Sequence, residues 1–258
     1  MAKTRVVLFG SIGVAVECLE WLLSLEHVEV IGVVCSNEPP SAWRVTIGDR
    51  DMREVAPAYG VPTLTLDDLL AVEADIGLSL RFHQILRKPH LERFRLGVVN
   101  LHGAPLPEMR GAMCNVMAII ENREDFGVSL HWMDTGVDSG DLLAVERFPI
   151  AAEDTVYTLF RQCNKRGLRM IKQYFDGIVD GSLIAEPQVE ILNRIGGASK
   201  TYTYKEALQY KELHLGISEQ AAWNRVRAFQ FPGHEPAYIN TPNGRIVLSV
   251  AVPEYLNH

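Results

Sequence analysis

Apolar residues in this chain fall into short runs separated by amphipathic stretches. RVVLFG (5–10), VEVIGVVCS (28–36), DIGLSL (75–80) and RLGVVNLH (95–102) are strand-length apolar runs, the pattern of strands buried on both faces. Between them, VAVECLEWLLSL (14–25), MREVAPAYG (52–60) and LRKPHLERF (86–94) repeat apolar positions at helical spacing. The polar segment NEPPSAWRVTIGDRD (37–51), with two adjacent prolines, predicts an exposed loop. GVSLHWMD and DLLAVERFPI predict two further strands. Asp154 to Val179 then places Val156, Leu159, Phe160, Cys163, Met170, Ile171, Tyr174, Phe175 and Ile178 on one face of a long helix. Strands alternating with helices predict βαβ units, and therefore an α/β fold with a Rossmann-like, mostly parallel sheet flanked by helices. After GIVDGSLI the texture becomes short and mixed, and Asn243-Gly244 signals a hairpin turn. The expected organisation is a catalytic unit over 1–185 and a small C-terminal α+β subdomain with a hairpin over 186–258. The stretch IVLSVAVP (246–253) is apolar on both faces, so a homodimer that covers it is expected.

Composition narrows the function classes. With 258 residues, 47% hydrophobic and 22% charged, the chain can bury a substantial core. A formal net charge of −7 speaks against a nucleic acid as the main partner, because phosphate binding relies on Lys and Arg. The N-terminal apolar run is broken by Gly10, Ser11, Glu17 and Glu20, so it lacks both a signal-peptide core and a membrane span, and a cytoplasmic protein is expected. Cys18, Cys35, Cys114 and Cys163 are scattered without a C-x-x-C pair, which fits reduced, packed thiols and no metal site. FGSIGV supplies Gly10 and Gly13 but not G-x-G-x-x-G; it is not read as a dinucleotide motif, although Gly10 suits a close backbone turn.

Candidate chemistry concentrates in NLHGAPLPEMRG (100–111). Ligands of an open parallel sheet bind beyond the carboxyl ends of its strands, and Asn100 and His102 sit at such an end, followed by Pro105 and Pro107. Alternation along a strand puts residues 100 and 102 on one face, where their polar heads converge. As a strand-end polar residue, His102 is expected to carry little packing, and the prolines to hold the following loop open. A second polar cluster, DTGVDSGD (134–141), ends the strand GVSLHWM. An amide and an imidazole on one strand face, beside a loop that offers carboxylates, are therefore site candidates by their location.

The combination of N-x-H (Asn100, His102), L-P-x-x-R-G (106–111) and D-x-G (138–140) resembles the N10-formyltetrahydrofolate-dependent formyltransferases, over most of residues 1 to about 180. The resemblance implies a catalytic trio of Asn100, His102 and Asp138 with no metal. DIGLSLRFHQIL resembles the family's folate-binding segment, which implies a donor site formed by Leu80, Arg81, Gln84, Ile85 and Leu86 facing Asp134 and Val137. Where many family members carry Ser two residues after the His, this chain has Ala104. The wording HGAPLPEMRG, with Cys114-Asn115 nearby, is more similar to the sugar N-formyltransferases than to enzymes acting on charged tRNA or glycinamide ribonucleotide. The implied reaction formylates a nucleotide-linked aminodeoxysugar, a dTDP-4-amino-4,6-dideoxyhexose, in glycan or lipopolysaccharide synthesis. Met109, Arg110, Asn115, Tyr202, Lys205, Phe231 and Tyr238 are the expected substrate contacts: Phe231, Tyr238, Tyr202 and Tyr204 offer rings to a pyrimidine, while Lys200, Lys205 and Arg227 offer charge to a diphosphate. The alternatives are another folate formyltransferase, acting on glycinamide ribonucleotide or methionyl-tRNA, and a catalytically silent folate- or nucleotide-binding module.

Overall fold

The computed structural model describes residues 2–251. In chain order the strands are β1 (Thr4–Phe9), β2 (Val28–Val34), β3 (Thr63–Leu64), β4 (Ala74–Leu80), β5 (Phe94–His102), β6 (Met109–Gly111), β7 (Asp125–Trp132), β8 (Leu142–Pro149), β9 (Lys200–Tyr202), β10 (Ala237–Thr241) and β11 (Gly244–Leu248). The helices are α1 (Gly13–Leu23), α2 (Ala42–Thr46), α3 (Met52–Ala58), α4 (Leu66–Leu69), α5 (Lys88–Leu91), α6 (Cys114–Ile120), α7 (Val156–Val179), α8 (Gln188–Ile195), α9 (Tyr204–Leu208) and α10 (Glu219–Ala228).

Seven strands form the main sheet in the order β3-β2-β1-β4-β5-β7-β8, parallel from β3 to β5 and antiparallel at β7 and β8. Val6, Val7, Leu8 and Phe9 of β1 are fully buried, as a strand covered on both faces requires. Strand order reverses between β1 and β4, so the ligand crevice of such a sheet opens beyond their carboxyl ends. Gly10 makes this junction tight: a Cβ there would lie 2.6 Å from the Leu80 carbonyl oxygen. The long helix α7 starts where Thr155 caps it by accepting from the Thr158 N–H, and it buries Val156, Leu159, Cys163, Met170, Ile171, Phe175 and Ile178. Burial pushes the thiols of Cys18 and Cys114 up to about 12 and that of Cys163 to about 11, so all three pack as neutral groups.

Two elements differ from expectation. The polar segment 37–51 is not simply an exposed loop: it contains α2, and Arg44 is buried because Asp49 and the carbonyls of Ser11 and Arg50 satisfy its guanidinium. LRKPHLERF is helical only over Lys88–Leu91, because Phe94 joins β5 and packs edge-on against Phe9.

The C-terminal residues fold back on the sheet. β9 pairs with β6, Leu142 exchanges backbone hydrogen bonds with Glu186, and Tyr202, Ala207, Ala228, Phe229 and Ala237 share the main core. β10 and β11 form the hairpin expected at Asn243-Gly244. It leaves Ile246 and Val247 exposed; Val252 and Pro253 of the expected apolar stretch lie outside the described residues. Among the described residues, no helix is long and apolar enough to cross a membrane.

Candidate active site

The end of β5 delivers Asn100 and His102 to one place because β7 runs antiparallel beside it, with Asn100 opposite His131 and His102 opposite Ser129. The His131 Nδ1–H donates to the Trp132 carbonyl at 2.8 Å, which leaves its Nε2 to accept from the Asn100 amide at 3.2 Å. The His102 Nε2–H donates to the Met109 carbonyl at 2.8 Å. Its other ring atom, Nδ1, lies 3.5 Å from Asp138 Oδ2, while Asp138 Oδ1 lies 3.6 Å from His131 Nε2. Asn100, His102 and Asp138 are therefore brought together, with His131 as a fourth member.

Asp138 adopts a left-handed backbone, φ 48°, which a non-glycine residue holds only when its surroundings fix it. Two contacts do so. The Gly111 N–H donates to Oδ2 at 2.9 Å, and Gln188 donates to the carbonyls of Asp138 (2.9 Å) and Gly140 (2.7 Å). Gln188 is buried, and its Oε1 accepts twice from Arg110, at 2.6 and 3.1 Å. One side chain from α8 thus ties the Asp138 loop to the motif arginine. Gln188→Ala should cost about 1–3 kcal/mol of stability by leaving these buried groups unpaired. It should also lower turnover by misplacing Asp138. Chemical denaturation beside steady-state rates checks this, and unchanged rates would leave Gln188 a structural role only.

Electrostatics separates the two titrating groups. Burial acts to raise the Asp138 carboxyl, but the His131 and His102 rings that face it and the Gly111 N–H outweigh it and bring the group to about 2. Burial lowers His102 below its ordinary 6.5; Asp138 and the Met109 carbonyl oppose that shift, while His131 and Arg81 add to it. At neutral pH the pair is a carboxylate beside a neutral imidazole whose Nδ1 is free to take a proton. The acid limb of the rate profile is therefore expected below pH 6.5. Asp138→Asn removes a charge that raises His102, so the limb should move to still lower pH. Turnover should fall about 10–10²-fold, less than on loss of the ring itself, since Asn can keep the Gly111 hydrogen bond. Rate against pH for both proteins decides it; an acid limb unmoved in the variant contradicts the coupling.

The Pro-rich turn is closed, not open. Pro105, Leu106 and Pro107 are buried, and Ser129 pins them by donating to the Ala104 carbonyl at 2.8 Å and accepting from the Leu106 N–H at 2.9 Å. His102 is likewise buried at 8% exposure, so the expectation of little packing is corrected.

Of the donor-site candidates, Leu80 and Leu86 are core residues and offer only backbone, while Gln84 and Ile85 are exposed. Phe82, Leu86 and Met133 pack on one apolar cluster, which brings this segment beside the start of the 134–138 loop. In that loop Val137 is exposed, and Asp134 is held in its own turn by the Gly136 N–H and the Ser139 hydroxyl. Arg81 directs its guanidinium toward Asn164 of α7.

The substrate candidates scatter. Met109 is fully buried and contributes its carbonyl; Arg110 is engaged by Gln188; Asn115, half-buried in the first turn of α6, bonds the Val116 N–H. Tyr202 is corrected: it is 1% exposed, its hydroxyl donates to Glu121 at 2.8 Å, and no ring face remains for a base. Arg227 is also buried, spending its donors on Asn224 and the carbonyls of Ala151 and Asp154. Lys200 is paired with Glu121 and Glu206, and Tyr238 carries the Arg245 guanidinium over its ring at 3.7 Å. Tyr204 and Lys205 are exposed on α9. Phe231 packs in an aromatic cluster with Trp43, Tyr157 and Phe160. Tyr157 and Phe160 line a crevice of about 710 Å³ between α1 and α7.

Fold and site together define an α/β protein with a polar cluster of Asn100, His102, His131 and Asp138 at the carboxyl end of β5. The chain belongs to the formyl transferase family, whose sequence profile matches residues 6–193. It is 32% identical over 196 residues to the methionyl-tRNA formyltransferase of Bacillus licheniformis, an alignment covering 72% of this chain and 62% of that enzyme; the chain thus spans about three fifths of that relative's length. Its fold matches a 4-N formyltransferase from Francisella tularensis with a TM-score of 0.80 at 14% identity, covering 97% of this chain and 98% of that one. It matches the N-formyltransferase of Helicobacter canadensis, solved with folinic acid and dTDP-3-aminofucose, with a TM-score of 0.74 at 23% identity, covering 90% and 81%.

Proposed function

We propose that this protein transfers the formyl group of N10-formyltetrahydrofolate to the amine of a nucleotide-linked aminodeoxysugar, a dTDP-4-amino-4,6-dideoxyhexose. The observation that carries formyl transfer is the convergence of Asn100, His102 and an ionised Asp138 within one polar cluster at a strand end. The amine lone pair attacks the formyl carbon, and the oxygen that gains charge is met by the Asn100 amide. The amine's proton passes to Nδ1 of the neutral His102, where Asp138 faces the resulting imidazolium. The bond from the formyl carbon to N10 then breaks, and N10 takes up a proton. In this reading the pterin lies between residues 80–86 and the 134–138 loop, where its hydrogen-bonding edge would be met by backbone groups.

The sugar acceptor is supported by the Helicobacter canadensis neighbour solved with dTDP-3-aminofucose, which follows this chain over 90% of its length. The C-terminal region, taken as a substrate and dimer unit after residue 185, carries the exposed apolar residues Ile246 and Val247, in keeping with a homodimer. The tRNA reading draws on the methionyl-tRNA formyltransferase relative, whose aligned part covers 72% of this chain. Incubating the protein with the formyl donor and each of dTDP-4-amino and dTDP-3-amino sugars, glycinamide ribonucleotide and methionyl-tRNA separates the readings by product mass. Formylation of a dTDP-aminosugar is the expected result. Formylation of methionyl-tRNA alone would overturn the choice.

A further inference from the structure

We propose that Arg81 is the anion site of the acceptor: its guanidinium, seated over Gly103 next to His102, binds the diphosphate and so sets the amine at the formyl carbon. The proposal rests on the nucleotide-sugar reading and adds the residue that recognises the charged part of that substrate.

The seat is built. Arg81 follows β4 in a left-handed conformation, φ 55°, which turns its side chain across the end of β5. Its Nε–H donates to Asn164 Oδ1 at 3.1 Å, and the guanidinium lies 5.0 Å from the Phe160 ring centre. Gly103 is what admits it, because a Cβ there would come within 2.4–2.6 Å of the guanidinium atoms. The seat lacks a counter-charge. Among the described residues no carboxylate lies within ion-pair distance of Arg81, although most other arginines of the chain have one. Burial lowers the pKa of Arg81, opposed by the neighbouring thiols of Cys163 and Cys114, which burial keeps neutral. A partly buried cation held on one side by a neutral amide has donors left for an incoming anion.

Position favours the acceptor. Asn164 and Phe160, the two residues that hold Arg81, both line the crevice between α1 and α7, as do Arg161 and Lys165. The first turn of α1, where anions commonly bind in such sheets, is already closed: Asp49 accepts from the Gly13 N–H at 3.0 Å and is paired with Arg44 at 2.9 Å. Lys200 and Arg227 are satisfied internally. Among the described residues, Arg81 stands beside His102 with no carboxylate within ion-pair distance.

Titration calorimetry on the full chain saturated with 5-formyltetrahydrofolate, with dTDP and inorganic pyrophosphate as probes, tests this. Wild type should bind both. Arg81→Gln should weaken each by about tenfold or more, and Arg81→Lys by less. Gly103→Ala keeps the arginine but blocks its seat, and should weaken dTDP as Arg81→Gln does. Equal dTDP and pyrophosphate affinities in wild type and Arg81→Gln would overturn the proposal. So would loss of folate affinity in place of dTDP affinity, or failure of wild type to bind either probe. If no aminosugar nucleotide is formylated, the acceptor reading fails by itself, while the anion affinity of Arg81 is still measured.

Discussion

His102→Asn is expected to lower turnover by about 10²–10⁴-fold, the range contributed by a positioned acid–base group. Asn offers an amide where the reaction needs an atom that gains a proton near neutral pH, so no pH should restore the rate. The variant should still fold, with a modest loss of stability. His102 is buried and its Nε2–H satisfies the Met109 carbonyl, so removing the ring costs about 0.5–1.5 kcal/mol for that hydrogen bond, together with some packing. Circular dichroism and a melting curve separate the two effects. A folded variant with near-normal turnover would remove His102 from the mechanism, and an unfolded one would make it a core residue first.

Asn100→Ala is expected to lower turnover by about 10²–10³-fold, the loss typical of one oxyanion donor. The donor faces charge that appears only as the tetrahedral intermediate forms, so kcat and kcat/KM should fall together while folate affinity stays near wild type. Loss of the amide also frees His131 Nε2, which loses its 3.2 Å hydrogen bond. Steady-state kinetics with a folate-binding measurement decides between roles. A rise in KM for the folate with kcat intact would make Asn100 a ground-state binding residue.

The strands could be read from the sequence because β1, β2, β4 and β5 are covered on both faces and so are written as apolar runs. Asn100 and His102 stood out because polar residues two apart end such a run, and Asp138 because a D-x-G follows the next strand. His131 was not legible: its role depends on β7 lying antiparallel to β5 in a register that sets it opposite Asn100, and one sequence does not fix register. Gln188 carried no signal at all. It reaches Asp138 across 50 positions because the chain returns to the sheet after α7. Tyr202 and Arg227 misled for the opposite reason: a ring and a guanidinium in a polar tail look available, yet Glu121 and Arg123 satisfy the first, and Asn224 and backbone carbonyls the second. The Pro-rich turn looked open because proline ends strand pairing, but Ser129 of the neighbouring strand supplies the hydrogen bonds that let it be buried.

The most direct test follows the formyl carbon itself. N10-formyltetrahydrofolate labelled at that carbon is mixed with a dTDP-aminosugar and either wild-type protein or the folded His102→Asn variant, and the products are read by mass spectrometry. With wild type the label should appear as a formyl group on the sugar amine. With the variant it should stay on the folate over the same time. Equal transfer by both proteins, or label released as formate with the sugar untouched, would contradict the account.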